Sequence, residues 1–254
     1  MAGRLDGTAA LVTGASSGIG EATALALAAE GSAVVLVARR TDRLESLEER
    51  ITGYGGRATV ITADITDEDQ AKDAVEQAAA AYGRLDTVVN NAGVMLLGPA
   101  LDAPLSEWQQ MVHLNLLGLL YVTHASMPHL LKAAEDSERG VADLVNISSV
   151  AGRQVRLGSG VYNATKHGVG AFSEALRLEV TRRHVRVSLV EPGATATELA
   201  GHNRPEVLEG LRKRFETMDR LQAEDISDAV TYIVTRPRHV AINEILIRPT
   251  EQDQ

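Results

Sequence analysis

Short apolar runs alternate with longer mixed stretches along this chain. The runs Ala9–Thr13 (AALVT), Ala33–Ala38 (AVVLVA), Ala58–Ala63 (ATVITA), Asp86–Asn90 (DTVVN), Asp143–Ser148 (DLVNIS) and Val185–Val190 (VRVSLV) are rich in β-branched residues. They are too short for helices and largely apolar on both sides, which predicts parallel strands covered on both faces. Between them Ile19–Glu30, Arg43–Thr52, Glu68–Tyr82, Leu114–Lys132 and Val161–Arg183 predict helices, and Glu244–Arg248 a last strand. Repeated strand–helix–strand units with right-handed crossovers predict an α/β fold, a doubly wound parallel sheet (Rossmann fold) with helices on both faces. No Pro/Gly/Ser-rich linker, low-complexity tract or repeat divides the pattern, so one domain is expected over residues 1–254.

Two segments break the rhythm. Lys132–Asp143 is charged and contains Gly140, which reads as an exposed helix end and loop. Residues 194–225 carry several charges and Pro205, fit no strand, and are expected to form a short helical lid above the sheet. Doubly wound sheets bind ligands outside the carboxyl ends of their strands, where the second of these segments begins.

The first strand runs into Gly14-Ala15-Ser16-Ser17-Gly18-Ile19-Gly20 and then into a helix. Glycines allow the tight turn and let backbone N–H groups approach a pyrophosphate, whose charge a helix N-terminus favours. A glycine-rich turn alone is a weak signal, but a strand before it and a helix after it make this a candidate dinucleotide loop. Ser16 and Ser17 add hydroxyl donors. The second strand ends in Ala38, Arg39 and Arg40 rather than an acid. Cations at this place suit the 2′-phosphate of NADP(H), and a guanidinium can hold phosphate with two parallel bonds.

Composition narrows the function classes. The 254 residues include 44% hydrophobic and 23% charged, as in a globular protein with an ample core, and the formal net charge is −9. That acidity argues against nucleic acid or an anionic membrane as partner. There is no cysteine, so disulfides, thiolate metal sites and thiol nucleophiles are excluded. No metal site is expected. No apolar run approaches the length of a membrane span and the first residues carry no signal-peptide pattern, so a cytoplasmic location is expected.

Tyr162 and Lys166 stand at i and i+4 in GVYNATKHGVG, on one face of the predicted helix. Taken alone the pair is ordinary helix surface. Ser149, however, falls at the end of the fifth strand in VNISSVAG, Asn115 interrupts an apolar helix in HLNLLG, and Asn90-Asn91-Ala92-Gly93 closes the fourth strand. With Pro192-Gly193 followed by Thr197, and with the Thr13–Gly20 loop, these residues occur in the order and context of one family. The chain resembles a single-domain member of the short-chain dehydrogenase/reductase family over nearly its whole length. Within it, the wording around MLLGP, AGRQVR, EPGATATEL and NEILIRPT is similar to the clavaldehyde (clavulanate) dehydrogenase type.

The resemblance implies an NADP(H)-dependent carbonyl reductase or alcohol dehydrogenase with a catalytic tetrad of Asn115, Ser149, Tyr162 and Lys166. Tyr162 would be the general acid/base, its pKa drawn down by the Lys166 ammonium. Ser149 would donate to the substrate oxygen, and Asn115 would hold a water that links Lys166 to solvent. Asp64 and Ile65 would embrace the adenine. Asn91, Ala92 and Gly93 would line the adenosine-ribose side, and Lys166 would bridge the nicotinamide-ribose hydroxyls. Pro192, Gly193, Thr195 and Thr197 would anchor the carboxamide. The resemblance also implies a homo-oligomer, tetramer or dimer, formed through the two long helices. The ending EILIRPTEQDQ departs from the glycine-rich strand of many relatives.

Substrate is expected between Val94–Gly98, Val150–Gly158 and the segment after Gly193, with Met95, Leu96, Leu97, Val155, Leu157 and Leu199 as apolar walls. Arg153 and Arg156 are candidates to meet an anionic carbonyl or alcohol substrate. Two rival functions are a catalytically silent dinucleotide-sensing protein and an epimerase or dehydratase. The first has no need of Ser149, Tyr162 and Lys166 together; the second usually brings a separate substrate domain.

Overall fold

The computed structural model describes residues 3–253, apart from the side chains of Arg214 and Phe215; Met1, Ala2 and Gln254 of the expected domain lie outside the described residues. Seven parallel strands form one sheet in the order β3-β2-β1-β4-β5-β6-β7. They are β1 (Ala9–Thr13), β2 (Ala33–Ala38), β3 (Arg57–Thr62), β4 (Thr87–Asn90), β5 (Ala142–Ile147), β6 (Val185–Pro192) and β7 (Glu244–Ile247). The order reverses between β1 and β4, which opens a crevice at their carboxyl ends.

Strand side chains alternate between two cores. Leu11, Val35, Val37, Val88, Leu144 and Val187 pack with α3 (Glu68–Tyr82) and α5 (Leu119–Asp136) on one face. Ala10, Val12, Val34, Leu36, Val89 and Val145 pack with α1 (Gly18–Ala29), α2 (Thr41–Gly53) and α8 (Ala223–Val234) on the other. Both faces are buried, so the strands read as continuous apolar runs. α6 (Gly160–Val180) lies along β6. Among the described residues no helix is long and apolar enough to cross a membrane.

Three elements differ from the expected pattern. The helix expected from Leu114 begins earlier, as α4 (Leu105–Val112), and passes through a π-helical turn at His113–Gly118 into α5. The inserted residue of a π turn shifts the apolar stripe out of step with a 3.6 period, which hid the continuity. α8 was not expected, although Ile226, Val230, Ile233 and Val234 form a buried stripe and Gln222 with Asp225 caps its start reciprocally. The excursion after Gly193 therefore ends at Ala223 rather than at residue 225. It holds a short 3₁₀ turn (Glu198–His202) and α7 (Pro205–Phe215), and returns where Leu221 bridges to Thr195.

Candidate functional site

One cleft runs along the carboxyl ends of the strands, from Arg39 and Arg40 to Tyr162. At its first end, Gly14 and Gly18 take positive φ angles of 66° and 56°, which side chains resist. Gly20 does not line the cleft. A Cβ there would strike the Gly14 carbonyl oxygen, so this glycine serves close helix–strand packing rather than contact with a ligand. Ser17 heads α1 without a side-chain capping bond. Its hydroxyl instead accepts from Arg40 at 2.7 Å, and the Ser16 hydroxyl accepts from Arg40 Nε at 3.1 Å and Nη2 at 2.9 Å. The guanidinium thus sits directly behind the N-terminus of α1, where an anion is favoured twice over.

Next along the cleft wall stands Asp64, after β3. Its carboxylate accepts from the Thr66 N–H at 3.0 Å and hydroxyl at 2.8 Å, and Arg39 Nη1 stands 3.6 Å away. Burial works against its ionisation, but the Thr66 bonds and the Arg39 charge outweigh it and hold the carboxyl below its ordinary range. Ile65, Ile19, Ala92 and Gly93 complete the wall there, while Asp42 faces solvent in the first turn of α2. Asn91 ties β4 to the glycine loop: its amide donates to the Thr13 carbonyl at 3.0 Å, and its N–H to the Thr13 hydroxyl at 3.0 Å.

At the other end Ser149, Tyr162 and Lys166 meet. Tyr162 and Lys166 are both 6% exposed, although an isolated helix pair would sit in water. Burial pushes the Tyr162 phenol up to about 12, against a lowering hydrogen bond with Ser149. Burial also pushes the Lys166 ammonium down to about 8. In the protein without cofactor, loss of water is the larger influence on the phenol and the Ser149 bond the opposing one. Lys166 Nζ donates to the Ile147 carbonyl at 2.9 Å and lies 5.9 Å from the Tyr162 ring centroid. That uses one of the three donors of an ammonium that lines the cleft.

Asn115 does not line the cleft. Standing in the π turn, it accepts from the Val94 N–H at 2.7 Å and donates to the Val94 carbonyl at 2.8 Å and to Thr165 at 3.3 Å. It clasps the loop after β4 to the helix bearing Tyr162. Asn163 does the same for the loop after β5, donating to the Ala151 and Gln154 carbonyls at 2.7 Å each.

Pro192, Gly193, Thr195 and Thr197 all line the cleft. Gln252, from the divergent ending, accepts from the Ala194 N–H at 2.8 Å, so the tail packs against this segment. The expected substrate walls divide. Met95, Leu97 and Leu199 line the cleft, and Leu96 packs beside Val94 and Tyr162. Val155 and Leu157 are 77% and 104% exposed and form no wall. Arg153 bonds Glu191 at 2.7 Å and pairs with Glu244, which hold it firmly charged, so it is engaged away from any substrate; Arg156 lines the cleft. Missed altogether were Gln252, Asn163 as an anchor, and two residues of the excursion. Asn203 links it to the β4 loop, accepting from Leu97 N–H at 2.7 Å and donating to the Met95 carbonyl at 2.9 Å. Glu198 bonds Arg40 at 2.9 Å and Arg43 at 3.1 Å. An acid following Thr197 was the only local hint.

Comparison with known proteins agrees with this geometry. The sequence profile described as short chain dehydrogenase matches residues 8–208. The glycine betaine reductase of Emericella nidulans is 41% identical over 252 residues, 98% of this chain, and the chain spans only 19% of that protein's length. An uncharacterized oxidoreductase of Staphylococcus aureus (strain MRSA252) is 34% identical over 240 residues, covering 94% of this chain and 96% of its own. Among solved structures, the closed form of a serine dehydrogenase complexed with NADP⁺ superposes with a TM-score of 0.88 at 31% identity, over 97% of each chain. An alcohol dehydrogenase from Thermococcus sibiricus complexed with 5-hydroxy-NADP gives 0.85 at 25% identity, over 97% of this chain and 98% of the other. The glycine loop before α1, the parallel sheet and the profile match together place the chain in the short-chain dehydrogenase/reductase family of oxidoreductases.

Proposed function

We propose that this protein is an NADP(H)-dependent reductase of small-molecule carbonyls, working in reverse as an alcohol dehydrogenase, with Tyr162 as general acid/base. The observation that carries the reading is the buried Tyr162 phenol, bonded to Ser149 and backed by Lys166, at the far end of a cleft that begins at Arg40. The cleft suits a dinucleotide with a 2′-phosphate, since Arg40 and Arg43 already hold an anion there in the form of the Glu198 carboxylate. When bound, the cofactor supplies or accepts hydride and, once oxidised, adds a positive charge beside the phenol.

The residues do the rest. Ser149 and Tyr162 would both bond one substrate oxygen and stabilise negative charge developing on it. A phenol held above its ordinary range is protonated at neutral pH and is the correct species to donate in reduction. Lys166, lowered to about 8, exchanges protons near physiological pH and can restore the phenol, with the Asn115 turn as the route to solvent. Lys166 would hold the nicotinamide-ribose hydroxyls, Asp64 and Ile65 the adenine, and Thr195 and Thr197 the carboxamide. Residues 194–222 act as the lid. An anionic substrate would be met by Arg156, since Arg153 is tied to Glu191. The narrower likeness to clavaldehyde dehydrogenases rests on short segments and fixes no substrate. A silent dinucleotide sensor would gain nothing from burying a lysine and a tyrosine at such desolvation cost.

The test is an NADPH-oxidation screen over neutral and acidic aldehydes and ketones, run beside NADH. Turnover with NADPH is expected to exceed that with NADH. No turnover with any carbonyl, despite dinucleotide binding, would favour the sensor. The half-exposed Leu116, Leu120 and Phe172 around the α5–α6 contact support a homo-oligomer through these helices. A monomer mass by light scattering at micromolar concentration would retire that part.

A further inference from the structure

We propose that Glu198 is a built-in occupant of the cofactor's phosphate site, which NADP(H) must displace, so that this residue sets how strongly the protein prefers a phosphate-bearing dinucleotide. The inference rests on the reading of the cleft as an NADP(H) site and adds a residue to it. Glu198 lies 158 positions from Arg40 in sequence and on the other side of the crevice. Yet its two carboxylate oxygens are divided between two arginines, Oε2 on Arg40 at 2.9 Å and Oε1 on Arg43 at 3.1 Å. The same Arg40 guanidinium turns its remaining donors to Ser16 and Ser17 at the head of α1. Two guanidinium groups, one of them anchored at the head of α1, therefore converge on one point, and a side chain of the excursion fills it.

The neighbouring geometry shows that the contact closes the cleft. A Cβ on Gly18 would sit 3.1 Å from the Thr197 methyl, so the residue before Glu198 rests on the glycine loop itself. Arg40 and Arg43 hold the carboxyl below its ordinary range, so it is ionised at neutral pH. The contact is nevertheless replaceable. Glu198, Arg40 and Arg43 side chains are 46%, 42% and 49% exposed, and ion pairs so open to water are weak and screened. A phosphomonoester brings nearly two charges and three acceptor oxygens against one charge and two oxygens, and so wins the arginines. A ribose hydroxyl brings neither, and leaves the carboxylate in place. With the 2′-phosphate seated, the freed carboxylate is a like charge close by, which weakens phosphate binding without touching the unphosphorylated dinucleotide.

Calorimetric titration of the full chain with NADP⁺, NAD⁺ and 2′,5′-ADP tests this, with Glu198→Gln and Glu198→Ala compared to the parent at low salt. Both variants are expected to bind NADP⁺ and 2′,5′-ADP more tightly by about five- to tenfold, with NAD⁺ affinity changed by less than about twofold. An unchanged or weaker affinity for NADP⁺ in both variants, with the parent binding NADP⁺ normally, overturns the proposal and leaves the cofactor reading standing. A parent that binds neither NADP⁺ nor 2′,5′-ADP overturns both.

Discussion

The two ends of the sheet treat buried charge in opposite ways. At the amino ends of the strands, Asp143 and Asp86 are fully buried and fully partnered. Arg186 grips Asp143 with bonds of 2.6 and 2.9 Å and turns its remaining donors to the Val234 and Val240 carbonyls, at 3.2 and 2.8 Å. Arg84 and the Ala9 N–H do the same for Asp86, at 2.7 and 2.9 Å from one oxygen. At the carboxyl ends, Lys166 has a single carbonyl recorded among the described residues, and Tyr162 only the Ser149 hydroxyl. Burying a charge costs several kcal/mol unless its donors and acceptors are matched. The first arrangement meets that condition from within the protein and is scaffold. The second leaves donors turned toward a cleft and is where a ligand completes the set.

Three experiments break or sharpen this contrast, in order of expected effect. Tyr162→Phe removes the exchangeable proton and nothing else of size; turnover should fall about 10³-fold, within the usual range for general acid–base catalysis, with NADP⁺ affinity and melting temperature preserved. A variant that kept full turnover would reject Tyr162 as the acid. Arg186→Met at the other end removes two of the bonds to buried Asp143 and leaves Arg139, at 3.2 Å, as its remaining cation; denaturant unfolding should show a loss of up to about 3 kcal/mol, while turnover per folded molecule stays the same. Equal stability would mean the amino-end network is not the scaffold described.

The third concerns pH. Lys166 falls from its ordinary 10.5 to about 8 in the folded state, so between those values the unfolded chain holds more protons and stability rises with pH. Tyr162 rises from 10 to about 12, so above pH 10 the folded chain holds more protons and stability falls again. Lys166 thus predicts a gain of about 2 kcal/mol between pH 8 and 10, read as the difference between the parent and Lys166→Met in chemical denaturation. A difference that stays flat over that interval would show that Lys166 is not desolvated.

The scaffold was largely legible in the chain itself. Six of the strands announce themselves as β-branched runs because both faces of the sheet are covered, and the glycine loop is recognisable because it stands between a strand and a helix. The ends of elements were less so. Asn115 looked like a lone polar residue in an apolar helix, while its real setting is a π turn that aims its amide at Val94. The apolar stripe of α8 follows directly on a charged excursion, which masks it in the sequence. Arg153 and Arg156, three residues apart, looked equivalent; the fold gives one to Glu191 and the other to the cleft.

Local order explains the division. Alternation, capping and turn chemistry act over a few residues, so the sequence by itself determined the strands, the crossovers, the glycine loop between β1 and α1 and the Tyr–Lys spacing. Which charge meets which is a matter of distances through space. Glu198 on Arg40, Arg186 on Asp143 and the Asn203 bridge were decided only by the tertiary structure. So was the direction in which Tyr162 shifts, because desolvation depends on how much protein surrounds a group and not on the residue four places along the helix.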